Sequence, residues 1–432
     1  MQTTGFRKEF AVTNLSLERL RKQAKEMVSA RRAAGEPITL SVAQFELARE
    51  NGFASWLKLK EYVVRLGAEQ PFRVDIAYYE GRADGIATVN GVTVAEARRD
   101  LARRHGFPSW QRLRRHVKSL QDGSQPPTPF VLAYRAVENN DRSGLVELLD
   151  RHPELIVARG TNGNDLLGMA GDLAIVRLLL NRGADPNRGN DYAWTKLHQA
   201  AYGNNRELVQ LLLDSGAKTD LFARGEGGTP LVVALFWGNR DVVDLLGLEP
   251  RNLRVAAGLG LLDRIRELAG TPQAGAYRGF YRPHGGFPAW QPSEDPQEVL
   301  DEALVWAAKS DQVAALTLLA ELGAGLDADP YRGSVLTWAA AGGRTDAVRR
   351  LLDLGADPNA RGTFGGPSHG EGVTALHLAA QNGHVEVAQA LLDGGADARI
   401  RDLLHDSPSW GWAEYGCHPG LAELLRAAGG AV

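Results

Sequence analysis

The feature that most limits what this chain can fold into is a short grammar that returns every 32 or 33 residues, a run of leucines followed by a glycine. Gly183 and Gly216 stand 33 residues apart, and Gly323 and Gly355 stand 32 apart. Leu351-Leu352 precede Gly355 and Leu391-Leu392 precede Gly395 at the same distance. A glycine so placed closes a helix where the backbone needs positive φ, which a side chain would oppose. The leucine pairs give that helix one apolar face. A single unit has nothing to bury this face against, so successive units must stack. Thr195, Thr229 and Thr374 open a shorter helix ahead of it, each hydroxyl placed to accept a free backbone N–H. The pattern predicts stacked helix pairs rather than one round core.

The unit at 373–402, VTALHLAAQNGHVEVAQALLDGGADARIRD, resembles the ankyrin-repeat family nearly position for position. WTKLHQAAYGNNRELVQLLLDSGAKTD at 194–220 is the next best, and SVLTWAAAGGRTDAVRRLLDLGADPNA at 334–360 carries Thr337 in place of the family histidine. Units at 302–328 and 229–250 are weaker, and 130–159, 161–187, 251–270 and 407–429 are degenerate. The resemblance implies an all-α ankyrin-repeat solenoid over 130–432, of about nine units. It also implies a binding role without catalysis. His198 and His377 resemble the family's TPLH histidine, which implies backbone bonds between neighbouring repeats.

Ahead of the array, 1–121 is a separate, basic region, and QDGSQPPTP makes 122–129 a linker that cannot continue a helix. The region holds 22 Lys and Arg against 13 Asp and Glu, whereas the rest of the chain holds 27 against 39. It repeats internally. AQFELARENGFASWLKLKEYV at 43–63 and ARRDLARRHGFPSWQRLRRHV at 97–117 share ten residues at a constant offset of 54. Each reads as helix, turn, helix, with Gly52 or Gly106 at the turn, Ser55 or Ser109 as the next cap, and an aromatic pair, Phe53 with Trp56 or Phe107 with Trp110. The spacing faintly resembles a DNA-binding helix-turn-helix, except that a tryptophan stands where bases are usually read. The second copy carries Arg98, Arg99, Arg103, Arg104, Arg112, Arg114, Arg115 and Lys118. Two readings stay open: these residues contact the phosphates of DNA or RNA, or the basic region docks on the acidic body.

Departures from the repeat are where loops carry binding. An insertion at 270–298 packs Tyr277, Arg278, Phe280, Tyr281, Arg282, His284, Phe287 and Trp290 into fourteen positions, and a second at 361–372 is rich in glycine. Tyr331 and Arg332 fall between them, and TNGNDLL at 161–167 is a further polar departure. Arg278, Tyr281, Arg282, Trp290 and Arg332 are the candidate binding residues, with stacking faces and fixed charge for a base, a phosphate or a planar group. For a composite acid–base site the candidates are His284, His369, Tyr331 and Asp165. The insertions predict one shared concavity holding Arg282, His284, Tyr331, Arg332 and His369.

Gly366-Pro367-Ser368-His369-Gly370 matches G-x-S-x-G, but that motif needs a strand–turn–helix in an α/β sheet, which nothing here supplies. Cys417 is the only cysteine and the ten histidines show no zinc spacing, so no metal and no cofactor are expected. No apolar run is long enough for a bilayer and the first residues have no leader-like core, so the expectation is a cytoplasmic protein without a membrane partner. Its partner is a protein or a nucleic acid. The alternative is a nucleic-acid-processing enzyme, glycosylase-like, that flips a base into a site built from repeat loops.

Overall fold

The computed structural model describes residues 17–50, 55–57, 59–60, 69–224, 226–247, 250–279, 293–330, 333–363 and 370–430. The chain divides into two compact units, 1–185 and 186–432. Helices dominate both. Among the described residues the only sheets are two-stranded, a parallel pair joining Glu69–Gln70 to Arg159–Gly160 and an antiparallel pair joining Gly362–Thr363 to Glu371–Val373. Among the same residues no helix is long and apolar enough to cross a membrane.

In the first unit, the internal repeat proves larger than a hairpin. Ala43, Leu47, Ala48 and Leu59 are buried in one core, and their counterparts Ala97, Leu101, Ala102 and Leu113 are buried in a second. Each core is completed by a helix that precedes the recognisable motif. Leu17–Ala33 supplies Leu20 and Ala24 to the first core, and Ile76–Asn90 supplies Tyr79, Ala83 and Ala87 to the second. The repeating element is therefore three helices where the sequence predicts two. The first helices share almost no identity, because a small residue facing a leucine or a tyrosine satisfies either core. In the second copy Gly106 has φ +75° and the Ser109 side chain accepts from Arg112 N, as the motif requires. Gly52 and Phe53 lie outside the described residues.

The proline-rich stretch 122–129 lies inside this first unit and ends in a cap. Thr128 accepts from Val131 N and Pro129 takes the first position of helix Pro129–Glu138. His105 is buried, with Nδ1 2.8 Å from Leu101 O and Nε2 2.7 Å from Thr161 Oγ1. Asn162 donates to the Tyr78 hydroxyl at 3.1 Å. A Cβ on Gly160 would lie 2.7 Å from the Phe72 ring, so only glycine lets the two segments close up. TNGNDLL is thus the segment on which the second three-helix copy rests.

In the second unit the helix pairs follow the repeat grammar. Gly216, Gly323, Gly355 and Gly395 have φ between +86° and +99°. His198 Nδ1 accepts from Thr195 N at 3.2 Å, which leaves Nε2 protonated to donate to Gly228 O at 2.9 Å. His377 repeats this with Thr374 N at 3.1 Å and Ser407 O at 3.2 Å. Each histidine ties its own helix start to a backbone carbonyl 30 residues on. Asn187 and Asn359 stitch the loops in the same way, each bonding backbone at two points in the following loop.

The array breaks its rule at 243–298. Helix Val243–Leu246 is a single turn, and Asn252 caps the next helix, Leu253–Leu259, only a few residues later. That helix carries Ala256, Ala257 and Gly258, small residues that allow close approach to helix Pro296–Lys309.

Candidate functional site

The structure fixes the root of the first insertion and, with it, the role of Arg278. This side chain is buried. Its guanidinium donates to Glu302 Oε2 at 2.6 Å, Glu298 Oε1 at 3.2 Å, Gly275 O at 3.2 Å and the Ser293 carbonyl. Glu302 is wholly buried and also accepts from Arg254 at 2.6 Å, and Arg254 stacks 4.7 Å from the Trp306 ring. One carboxylate shared by two arginines is the arrangement a buried charge needs, since an unpaired one is costly to bury. Arg278, expected to meet a ligand, instead anchors the two ends of the insertion. Its neighbour Tyr277 is exposed at the same root.

Asp165, a candidate for acid–base work, is buried and accepts from Gly168 N at 2.8 Å, capping the short helix Leu166–Met169. A capping carboxylate satisfies a helix terminus, which is a structural employment. Tyr281, Arg282, His284, Trp290, Tyr331, Arg332 and His369 lie outside the described residues, as does most of the G-x-S-x-G match, so the shared concavity falls there too. Among the described residues no group of three or more His, Cys, Asp or Glu is placed to hold a metal ion.

The basic set of the second three-helix copy separates into two groups. Arg98 lies over the Trp110 ring at 5.6 Å, and Arg104 pairs with Asp100 at 3.2 Å. Arg99, Arg103, Arg112, Arg114, Arg115 and Lys118 are exposed and form no ion pair among the described residues.

The most developed surface was not singled out by sequence. Tyr202, Phe236, Lys309 and Tyr415 each stand two residues before a positive-φ residue, namely Asn204, Gly238, Asp311 and Cys417, at the end of a repeat's first helix. Three of these positions join into a ridge. Tyr202 meets Trp237 edge to face at 5.4 Å, both about half exposed, and Trp237 meets the buried Phe236 at 5.3 Å. The Lys309 amine sits 3.7 Å from the ring centroids of both Phe236 and Trp338. Burial, with the nearby Arg344 guanidinium adding to it, holds that amine well below the usual lysine range. Two ring faces offset part of the lost hydration, a contact worth about 2 kcal/mol when desolvated. Arg344 closes the arrangement through Lys309 O and Gly238 O, both at 2.9 Å.

At the Tyr202 end of the ridge, Arg224 lies 4.6 Å over Trp194 and 5.9 Å over Tyr192. Burial lowers its pKa, while the phenols of Tyr192 and Tyr202 beside it act the other way. The surface is therefore four aromatic side chains, Tyr192, Trp194, Tyr202 and Trp237, with Arg224 against the first two and the buried Phe236, Lys309 and Trp338 packed beneath Trp237. A weak signal existed in the sequence: position 202 of the repeat is polar in the clearest unit (Gln381) and aromatic here.

Stacked helix pairs with a histidine bonding from one repeat to the next define a helical-repeat fold. The chain carries ankyrin repeats: a model described as ankyrin repeats (3 copies) matches residues 165–254, and one described as ankyrin repeats (many copies) matches 336–392. Curated relatives include the ankyrin repeat and KH domain-containing protein mask-1 of Caenorhabditis elegans, 26% identical over 260 residues, 54% of this chain and 10% of that protein. The ankyrin repeat and SAM domain-containing protein 6 of Rattus norvegicus is 35% identical over 97 residues, 22% of this chain and 11% of its own length. Protein fem-1 homolog A-like of Mus musculus is 38% identical over 76 residues, 18% and 11% respectively. The chain thus spans about a tenth of the length of each of these relatives. Ankyrin repeats imply a protein-interaction role.

Proposed function

We propose that residues 186–432 bind a protein segment laid across the ridge formed by Tyr192, Trp194, Arg224, Tyr202 and Trp237. The observation that carries this reading is the pair Tyr202 and Trp237, 55% and 49% exposed, packed edge to face on a ledge that Phe236, Lys309 and Trp338 hold rigid. Exposed aromatic rings beside an arginine are the composition of interface hot spots, and rigid rings lose little entropy on contact. The test is to compare proteins retained by the wild-type chain with those retained by the Tyr202→Ala/Trp237→Ala variant. A specific partner should be lost from the variant, with its affinity weakened about thirtyfold or more, the weight of a ~2 kcal/mol hot spot. Retention of the same partners with unchanged affinity contradicts the reading.

A second reading concerns the first unit, where Arg99, Arg103, Arg112, Arg114, Arg115 and Lys118 are exposed without ion pairs. Unpaired cations spread over one helical hairpin favour phosphate contact with DNA or RNA, positioned by charge and without base reading.

A further inference from the structure

The break in the array borders a cavity of about 360 Å³, lined in part by Leu246 and Gly247 at the end of the single-turn helix Val243–Leu246. That volume lies near the lower end of small-molecule sites, which run from about 300 to 1,000 Å³. Its walls are the buried side chains of Leu231, Val232, Leu246 and Val255. Tyr277, from the root of the insertion, forms another wall, and its position is fixed on two sides. Next to it Arg278 is locked into the buried carboxylates, and a Cβ on Gly227 would lie 2.0 Å from Tyr277 O, so the backbones approach as only glycine permits.

Two opposite charges share this cavity without pairing. Asp220 and Arg251 both line it and both are exposed. Neither side chain forms an ion pair or hydrogen bond with any described residue. Arg251 is held over the Phe222 ring at 5.3 Å and the Tyr277 ring at 6.0 Å, which steadies the guanidinium and leaves its N–H edges unspent. An apolar chamber with a fixed cation and a separate anion is complementary to a small molecule carrying a carboxylate, an ammonium and an apolar body.

We infer that this cavity binds a free α-amino acid with a large apolar side chain. Its carboxylate pairs with Arg251, its ammonium with Asp220, and its side chain enters the Leu231, Val232, Leu246 and Val255 chamber. This site is distinct from the aromatic ridge, and its test does not depend on a protein partner. L-Phenylalanine is titrated into the full chain by calorimetry, alongside N-acetyl-L-phenylalanine and L-phenylalaninamide, each lacking one charge. Saturable binding of L-phenylalanine is expected, with both analogues weaker by at least about tenfold for the lost charge-assisted contact. Arg251→Gln and Asp220→Asn, both surface changes, should each weaken binding by a similar factor while circular dichroism stays unchanged. No heat with L-phenylalanine at millimolar concentration overturns the inference. Binding of either analogue as tight as that of L-phenylalanine, or binding of L-phenylalanine by either variant as tight as by the wild-type chain, overturns it as well.

Discussion

At the scale of single residues, burial decides which charges this protein can hold. His198 and His377 are pushed down to about 4 because burial disfavours the imidazolium, more than their bonds to the Gly228 and Ser407 carbonyls favour it. Both are neutral at pH 7 in the folded chain, as the tautomer bonded to Thr195 N and Thr374 N requires. In the unfolded chain each takes up a proton near pH 6.5. The unfolded state therefore binds more protons between pH 6.5 and 4. Stability is complete above that window, falls as pH drops through it and levels off below, by up to about 3 kcal/mol per histidine. Thermal melts at pH 7.5 and pH 5 should show a fall in Tm that is smaller in a His198→Gln/His377→Gln variant. Parallel falls in the two proteins would count against the assignment. Sequence motif alone placed both histidines correctly. Arg278 shows the opposite case: residue type suggested a ligand contact, and only the two glutamates that reach it from helix Pro296–Lys309 reveal an anchor.

At the scale of elements, what was legible followed local chemistry. Capping hydroxyls, positive-φ glycines and leucine pairs all sit where the repeat grammar puts them, because each answers a local demand of a helix end. The three-helix copies were half legible. Helices Val94–Arg104 and Trp110–Gln121 carry a motif, but Ile76–Asn90 joins them through Tyr79, Ala83 and Ala87, whose spacing of four marks one face of a helix without any motif shared with the first copy. The same copy carries the proposed phosphate contacts. Duplex and single-stranded nucleic acid should bind with an affinity that falls steeply as salt rises. Replacing Arg112, Arg114 and Arg115 together by Ala should weaken binding on every sequence and reduce the salt slope by about two to three. All three are exposed, so the fold should survive. Binding indifferent to salt, or unaffected by the triple change, would leave these arginines as solvated surface.

At the scale of the whole molecule, the family was readable from one well-formed unit, 373–402, and its neighbours, because stacking repeats share one solution. The candidate site was not. Tyr202, Trp237, Lys309 and Trp338 are spread over four repeats and 137 positions, and only stacking brings the exposed 202 and 237 together over the buried 309 and 338. Periodicity marks such positions as helix ends and is silent on which of them meet. The claim that this ridge receives a protein partner is tested most directly by placing a photo-crosslinking amino acid, p-benzoylphenylalanine, at single positions. Position 202 or 237 samples the ridge. Position 349, on the exposed side of helix Thr345–Asp353, samples a surface away from it. Irradiation in cell extract should give one discrete adduct from 202 and 237 and none from 349. An adduct from 349 with none from either ridge position would contradict the account.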